Sequence, residues 1–170
     1  MNQRITNLRT KMKAQDLKAV LINNLKNVYY LTGFWGSNGT VLVTEERVVL
    51  FTDSRYTIHA HATCFPFVEI VETRNELEEA AKIVKDAAIH ELGFEDEITV
   101  AYQTRLATAF SGVSLRALSD FVMEFRLIKD ETEVATIRKA CSISDQAFLD
   151  VLEFIKVGQT TELEAATFLD

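Results

Sequence analysis

The spacing of apolar residues changes repeatedly along this chain, and each change marks an element. Ile5, Leu8 and Met12 fall at helical spacing on a Lys/Arg/Gln background, which predicts an amphipathic helix over about residues 2–15. Lys18-Ala-Val-Leu-Ile-Asn23 is a short apolar run bounded by polar residues and reads as a buried strand. Residues 24–31 are ambiguous, and Thr32-Gly33 closes them. Thr40–Thr44 and Arg47–Thr52 are β-branched runs joined by Glu45-Glu46, a hairpin pattern without the glycine of the favoured tight turns. Asp53 or Ser54 is placed to cap a helix running to about Ala62, and Pro66 punctuates after it. Residues 67–72 alternate as a strand. Asn75 with Glu78 has capping-box spacing for a helix carrying Leu77, Ala80, Ala81, Val84 and Ala88 on one face. Residues 91–95 and 99–101 read as short strands, 102–110 as helix and 114–118 as a last strand, with Ser119 capping a short helix to about Glu124.

Alternation of helix and strand over about residues 1–125 predicts an α/β layered domain. Its sheet must be mixed and flanked by helices, because a tight hairpin is antiparallel. The pattern then changes. Asp130 and Glu133 form a second capping box, and Val134, Ile137, Cys141, Phe148, Val151, Leu152 and Ile155 keep helical spacing with no Gly or Pro before Gly158. One helix of about 25 residues is predicted, roughly 38 Å long at 1.5 Å per residue. Thr161 and Glu164 then cap another helix, whose apolar face begins at Ala165, Ala166 and Leu169. Two helices cannot bury both their stripes alone. Residues 126–170 are therefore expected to open a second domain whose body lies beyond this sequence.

Composition narrows the function classes. The 170 residues are 48% hydrophobic and 25% charged, with Gly 6 and Pro 1, which suits a packed globular chain and not a disordered one. A net charge of −7 argues against nucleic acid, because a phosphate-binding face is basic. No apolar run reaches the roughly 18 residues of a membrane span, and the N-terminus has no secretory pattern. Cys64 and Cys141 match no metal-ligand spacing; two ordinary thiols suit a reducing, cytoplasmic setting.

Chemistry-bearing residues are few. His59-x-His61 diverges on a helix, the local pattern here, and has no third ligand at a convincing spacing. Gly33-Phe-Trp-Gly-Ser-Asn-Gly39 holds three glycines in seven residues, so its backbone needs unusual angles or close approach; no helix follows it, so it lacks the amide cluster of a phosphate site. Asp53-Ser-Arg-Tyr56 follows a strand end, where α/β proteins place functional groups. Asp53 is either a helix cap or part of a ligand site. Trp35, the sole tryptophan, sits on the glycine loop, either for packing or to meet a partner or substrate.

Asn27-Val-Tyr-Tyr-Leu-Thr-Gly-Phe34, Gly36-Ser-Asn-Gly39, Leu50-Phe-Thr-Asp-Ser-Arg-Tyr56, Phe125-Arg-Leu-Ile-Lys-Asp-Glu-Thr-Glu133 and Ile155-Lys-Val-Gly-Gln-Thr-Thr-Glu162 together resemble the N-terminal region of the creatinase, prolidase and aminopeptidase P family. The wording Thr-Asp-Ser-Arg-Tyr, with Val71-Glu-Thr-Arg74, is most similar to bacterial Xaa-Pro aminopeptidases. The resemblance implies a creatinase-type N-terminal domain followed by a truncated pita-bread catalytic domain. It implies a parent enzyme that removes the residue before proline with two divalent metal ions, usually manganese, held by two Asp, one His and two Glu of the catalytic domain. No matching ligand lies within residues 1–170, so the chain alone is expected to hold no metal and no catalytic residue. The N-terminal domain would support dimers or higher oligomers and edge the substrate cleft, with Tyr30, Trp35, Asn38, Arg55 and Tyr56 as the cleft-edge or interface candidates. The implied partners are the chain's own catalytic domain, a second copy and Xaa-Pro peptides. Two alternatives stay open: an Xaa-Pro dipeptidase, and a non-enzymatic interaction module built on the same architecture.

Overall fold

The computed structural model describes residues 2–156, 158 and 161. The chain divides into two compact units, Met1–Arg126 and Leu127–Asp170. The first contains α1 (Gln3–Ala14), β1 (Ala19–Ile22), α2 (Leu25–Thr32), β2 (Thr40–Thr44), β3 (Val48–Thr52), α3 (Thr57–Thr63), β4 (Glu69–Glu72), α4 (Glu76–Asp86), β5 (Glu91–Glu95), α5 (Val100–Ala109) and β6 (Ser114–Leu118), with α6 (Met123–Leu127) at its end. The six strands make one sheet in the order β4-β3-β2-β1-β5-β6. Only β2 runs against its neighbours; the pairs β1–β5, β3–β4 and β5–β6 are parallel. The mixed α/β sheet expected from the sequence is therefore what forms.

Every residue of β1, β2 and β3 is buried. Such strands read as continuous apolar runs because helices cover both faces. Val20, Ile22, Val41, Val43 and Leu50 pack with Ile5, Leu8 and Met12 of α1 and Val28 and Leu31 of α2. Ala19, Leu21, Leu42, Val49 and Phe51 face the other way, onto Leu77, Ala80 and Val84 of α4, Leu106 of α5 and Phe110 just after it. Each large apolar side chain moved out of water stabilises by about 1.5–3 kcal/mol, so these two clusters supply most of the driving force of the unit.

Local signals explain the elements and several departures. The ambiguous 24–31 segment is helix: the Asn24 side chain accepts from Lys26 N, and Gly33 ends α2 at φ 79°. Glu45-Glu46 turns without glycine because Thr44 Oγ1 accepts from both Glu46 N (3.3 Å) and Arg47 N (2.9 Å). Neither Asp53 nor Ser54 caps α3, which starts at Thr57 after Tyr56 with no side-chain cap. Asn75 precedes α4 but makes no capping bond; its own N–H donates to Thr73 Oγ1 at 2.9 Å. Residues 99–101 are not a strand. Thr99 Oγ1 accepts from Tyr102 N and starts α5. Ser119 caps nothing, since α6 begins only at Met123 after a turn with Asp120 at φ 50°.

The second unit holds α7 (Glu131–Phe154), 24 residues long, with both halves of the Asp130/Glu133 capping box formed. Much of its apolar stripe is open to solvent, with Ile137 49%, Phe148 60% and Leu152 53% exposed, while Val151 is buried. The helix predicted from Thr161, with Ala165, Ala166 and Leu169, lies outside the described residues.

Ala88, just after α4, holds φ 50° while exposed, a conformation a β-carbon penalises. Ala88→Gly should therefore stabilise the chain by about 0.5–1 kcal/mol. A raised urea midpoint with unchanged slope is the expected result, and a lowered midpoint would contradict the strain assigned to Ala88.

Candidate functional site

β1, β3, β4, β5 and β6 share one direction, so their C-terminal ends line one edge of the sheet. In open α/β sheets this edge is where ligands meet the protein. Because β2 runs backwards, it starts at that same edge, and the glycine loop that leads into it (residues 33–39) lies beside the segment that leaves β3 (residues 53–56).

The loop wraps a buried ring. Phe34 is 1% exposed, and a β-carbon at Gly36 would come 2.7 Å from its Cζ and 3.1 Å from Tyr56 Cδ1. At Gly39 the corresponding approach to Phe34 Cε1 is 2.9 Å. With Phe34 turned in, the next residue turns out: Trp35 is 65% exposed, its ring edge-to-face on His59 at 4.8 Å. Phe34 meets His59 at 6.0 Å and Tyr56 edge-on at 5.9 Å.

Polar contacts join loop to strand end. Asp53 Oδ2 accepts from Asn38 Nδ2 (2.6 Å) and Arg55 Nη2 (2.8 Å), while Oδ1 accepts from Arg55 N (3.0 Å) and Arg55 Nε (2.9 Å). Thr52 Oγ1 donates to the Asn38 carbonyl at 2.7 Å, and the Ser37 and Tyr56 hydroxyls share a 2.6 Å hydrogen bond. The Arg55 guanidinium, then Asn38, hold the Asp53 carboxyl well below the usual carboxylate range. Arg55 itself is 68% exposed, so water screens the attraction, and the ion pair contributes geometry more than stability.

Four of the five residues singled out from the sequence, Trp35, Asn38, Arg55 and Tyr56, thus meet around this loop. Tyr30 does not lie on it. It sits on α2, 8% exposed, with the Arg4 guanidinium 4.3 Å above its ring and its hydroxyl donating to the Phe125 carbonyl at 3.4 Å. Sequence reasoning left Ser37 unnamed and treated Asp53 as either cap or site residue; its position one residue past a buried strand end was the available signal. His59 lies on α3 against Trp35, and His61 on the same helix is exposed. Among the described residues no three His, Cys, Asp or Glu side chains gather to hold a metal ion, and no helix is long and apolar enough to cross a membrane.

A second polar centre sits at the same edge. Glu95, at the end of β5 and 6% exposed, accepts from Asn23 N (2.8 Å), Asn24 N (2.7 Å) and Asn27 Nδ2 (2.5 Å), so its carboxylate covers the start of α2. Asn27 Oδ1 in turn accepts from Arg126 Nη1 at 3.0 Å. Burial pushes the Glu95 carboxyl upward despite these three donors. Nothing in the local pattern of residues 91–95 marked this network.

An open α/β sheet with one reversed central strand and a braced loop at its C-terminal edge defines the class of domain. The chain belongs to the creatinase/prolidase N-terminal domain family, whose model matches residues 4–128. It is 31% identical over 169 residues to an uncharacterized peptidase of Bacillus subtilis, covering 98% of this chain and 47% of that protein. Among solved structures, an Xaa-Pro dipeptidase from Bacillus anthracis superposes with TM-score 0.87 at 31% identity, over 98% of this chain and 47% of that one. An Xaa-Pro aminopeptidase from Streptococcus pyogenes matches with TM-score 0.69 at 40% identity, over 72% of this chain and 94% of that chain. The chain thus spans about half the length of the curated relatives it matches.

The Asp53 pairing has a consequence for pH. Its carboxyl titrates lower folded than unfolded, so its contribution is present above the ordinary Asp value of about 3.9 and is lost as pH falls through the lowered value. The urea-midpoint difference between native chain and Asp53→Asn should stay constant from about pH 5 to 8 and shrink in more acid solution. A difference that grows on acidification would refute this sign.

Proposed function

We propose that this chain is the N-terminal domain of a metal-dependent Xaa-Pro aminopeptidase, in which the loop carrying Trp35 edges the substrate cleft. The observation that carries this reading is Trp35 itself, a large aromatic held outward by a glycine loop whose preceding ring is fully buried. Packing alone gives no reason for that arrangement, whereas an amphipathic ring over a cleft mouth does. The relatives' names supply the substrate class: some are called Xaa-Pro dipeptidases, others Xaa-Pro aminopeptidases.

In this reading two divalent ions, manganese by the family's pattern, belong to the catalytic domain and lower the pKa of an attacking water. The described residues gather no ligand set for them, so no chemical step is assigned to this chain. Its own contribution is to bound the cleft and to meet other protein. Leu25 and Tyr29 on α2, Trp35 on the glycine loop and Ile58 on α3 are 40–87% exposed and suit contact with the catalytic domain or a second copy. A cytoplasmic setting fits the two free cysteines. That exposed apolar set also favours the second reading, an interaction module without catalysis.

Assays on Xaa-Pro peptides with added manganese separate these. Residues 1–170 alone should not cleave, while the chain extended to its relatives' length should; robust turnover by the short form would overturn the assignment. In the extended form Trp35→Ala should lower kcat/KM about tenfold, ~1.4 kcal/mol of transition-state binding, with little change in melting temperature. A large loss of thermal stability would make Trp35 a packing residue. Cleavage of a longer Xaa-Pro peptide as well as a dipeptide favours the aminopeptidase; cleavage of the dipeptide alone makes the parent a dipeptidase.

A further inference from the structure

We propose that Asp53 is a positioning residue: gripping Asn38 from the end of β3, it sets the loop that presents Trp35 and fixes that ring against His59. This deepens, and rests on, the reading that Trp35 edges a cleft. The geometry is specific. Asp53 is 8% exposed, fixed at the end of a buried strand, and both its oxygens are engaged. Asn38 is exposed and has no apolar packing role, yet its side chain reaches Asp53 at 2.6 Å while its carbonyl accepts from Thr52 Oγ1 at 2.7 Å. Strand end and loop are thus pinned at two atoms of one residue.

Trp35 lies three positions before Asn38. Between them come Gly36, a flexible residue that must be glycine to clear the Phe34 ring, and Ser37, tied to the Tyr56 hydroxyl. Phe34 therefore anchors the loop on one side of Trp35, and Asn38 anchors it on the other. Losing the Asn38 side chain leaves the loop the Phe34 anchor, the Ser37–Tyr56 bond and the Thr52 bond to the Asn38 carbonyl, and removes the one contact that reaches the buried carboxylate. Arg55 has a different part. Its bidentate pair and its own backbone N–H fill the remaining acceptor positions of Asp53 and hold the carboxylate facing the loop.

Trp35 is the only tryptophan, so its fluorescence reports this loop alone. The probe is acrylamide quenching of Trp35 in the 170-residue chain, with far-UV circular dichroism to confirm folding. Asn38→Ala and Asp53→Ala should each raise the quenching constant about twofold, as the ring leaves His59 and the loop gains mobility. The exchanged pair Asn38→Asp with Asp53→Asn restores an amide–carboxylate contact of reversed sense and should recover most of the native value. Native-like quenching in a folded Asn38→Ala chain overturns the proposal, and so does an exchanged pair that quenches no better than the single variants. If Asp53→Ala fails to fold, Asn38→Ala and the exchanged pair still decide it.

In the extended form, Asn38→Ala should raise KM about threefold with a smaller effect on kcat. A changed Trp35 signal with unchanged KM leaves the clamp standing and removes the cleft reading. An unchanged signal removes the clamp whatever KM does.

Discussion

The reversal of β2 is the constraint on which the rest of this domain depends. Were all six strands parallel, the loop before β2 would enter from the opposite edge of the sheet. Running backwards between β1 and β3, β2 brings residues 33–39 to the edge where β3 ends, beside Asp53. The reversal is held by burial: every residue of β1, β2 and β3 is covered on both faces. Both faces being apolar, a one-residue slip would not wet Val41, Leu42 and Val43 but would drive them into the wrong packed layer, at about 1–3 kcal/mol per misfitted side chain against about 1 kcal/mol for each hydrogen bond of the loop. The sheet thus decides where the loop goes, and Asp53, Asn38, Ser37 and Tyr56 decide only its shape.

Two carboxylates at this edge show how surroundings divide one chemistry. Asp53 faces a guanidinium and titrates low; Glu95, with amides but no cation against it, titrates high. Arg126 stops at Asn27 and so reaches Glu95 only through an amide. The first carboxylate stays charged and organises an exposed loop. The second is buried at the start of α2, where backbone N–H groups of Asn23 and Asn24 would otherwise lack partners. Each joins a strand end to the segment beside it: Glu95 braces the start of α2, and Asp53 the far end of the loop into which α2 leads.

Much of this was legible in the sequence because it rests on periodicity. The apolar runs of β1 to β3, the stripes of α1 and α4 and the capping box of α7 all carry their own local signal. What failed were caps. Asp53 has the residue type of an N-cap, but tertiary partners won its oxygens; Asn75 and Ser119 likewise sit near helix starts without capping them. Residues 99–101 misled because a β-branched pair resembles a strand until Thr99 is seen bonding Tyr102 N. Trp35, Asn38, Arg55 and Tyr56 could be singled out as candidates because they fall in two short motifs, which the fold brings together. The Glu95–Asn27–Arg126 network was invisible, since its members lie up to 99 positions apart and no local pattern links them.

The two helical layers are finished to different degrees, and the difference is physical. On one side of the sheet α4 and α5 carry charge outward, with Lys82–Glu79 and Arg105–Glu76 paired, and Val100 is their only strongly exposed large apolar residue. On the other side α2, α3 and the loop between α2 and β2 leave Leu25, Tyr29, Ile58 and Trp35 in water. Single exposed apolar residues need no explanation, but four on α2, α3 and their loop against one on α4 and α5 is an asymmetry that solvation does not favour. The α4/α5 layer turns paired charge outward, whereas the α2/α3 layer leaves apolar side chains uncovered, and the braced Trp35 loop lies on that second layer.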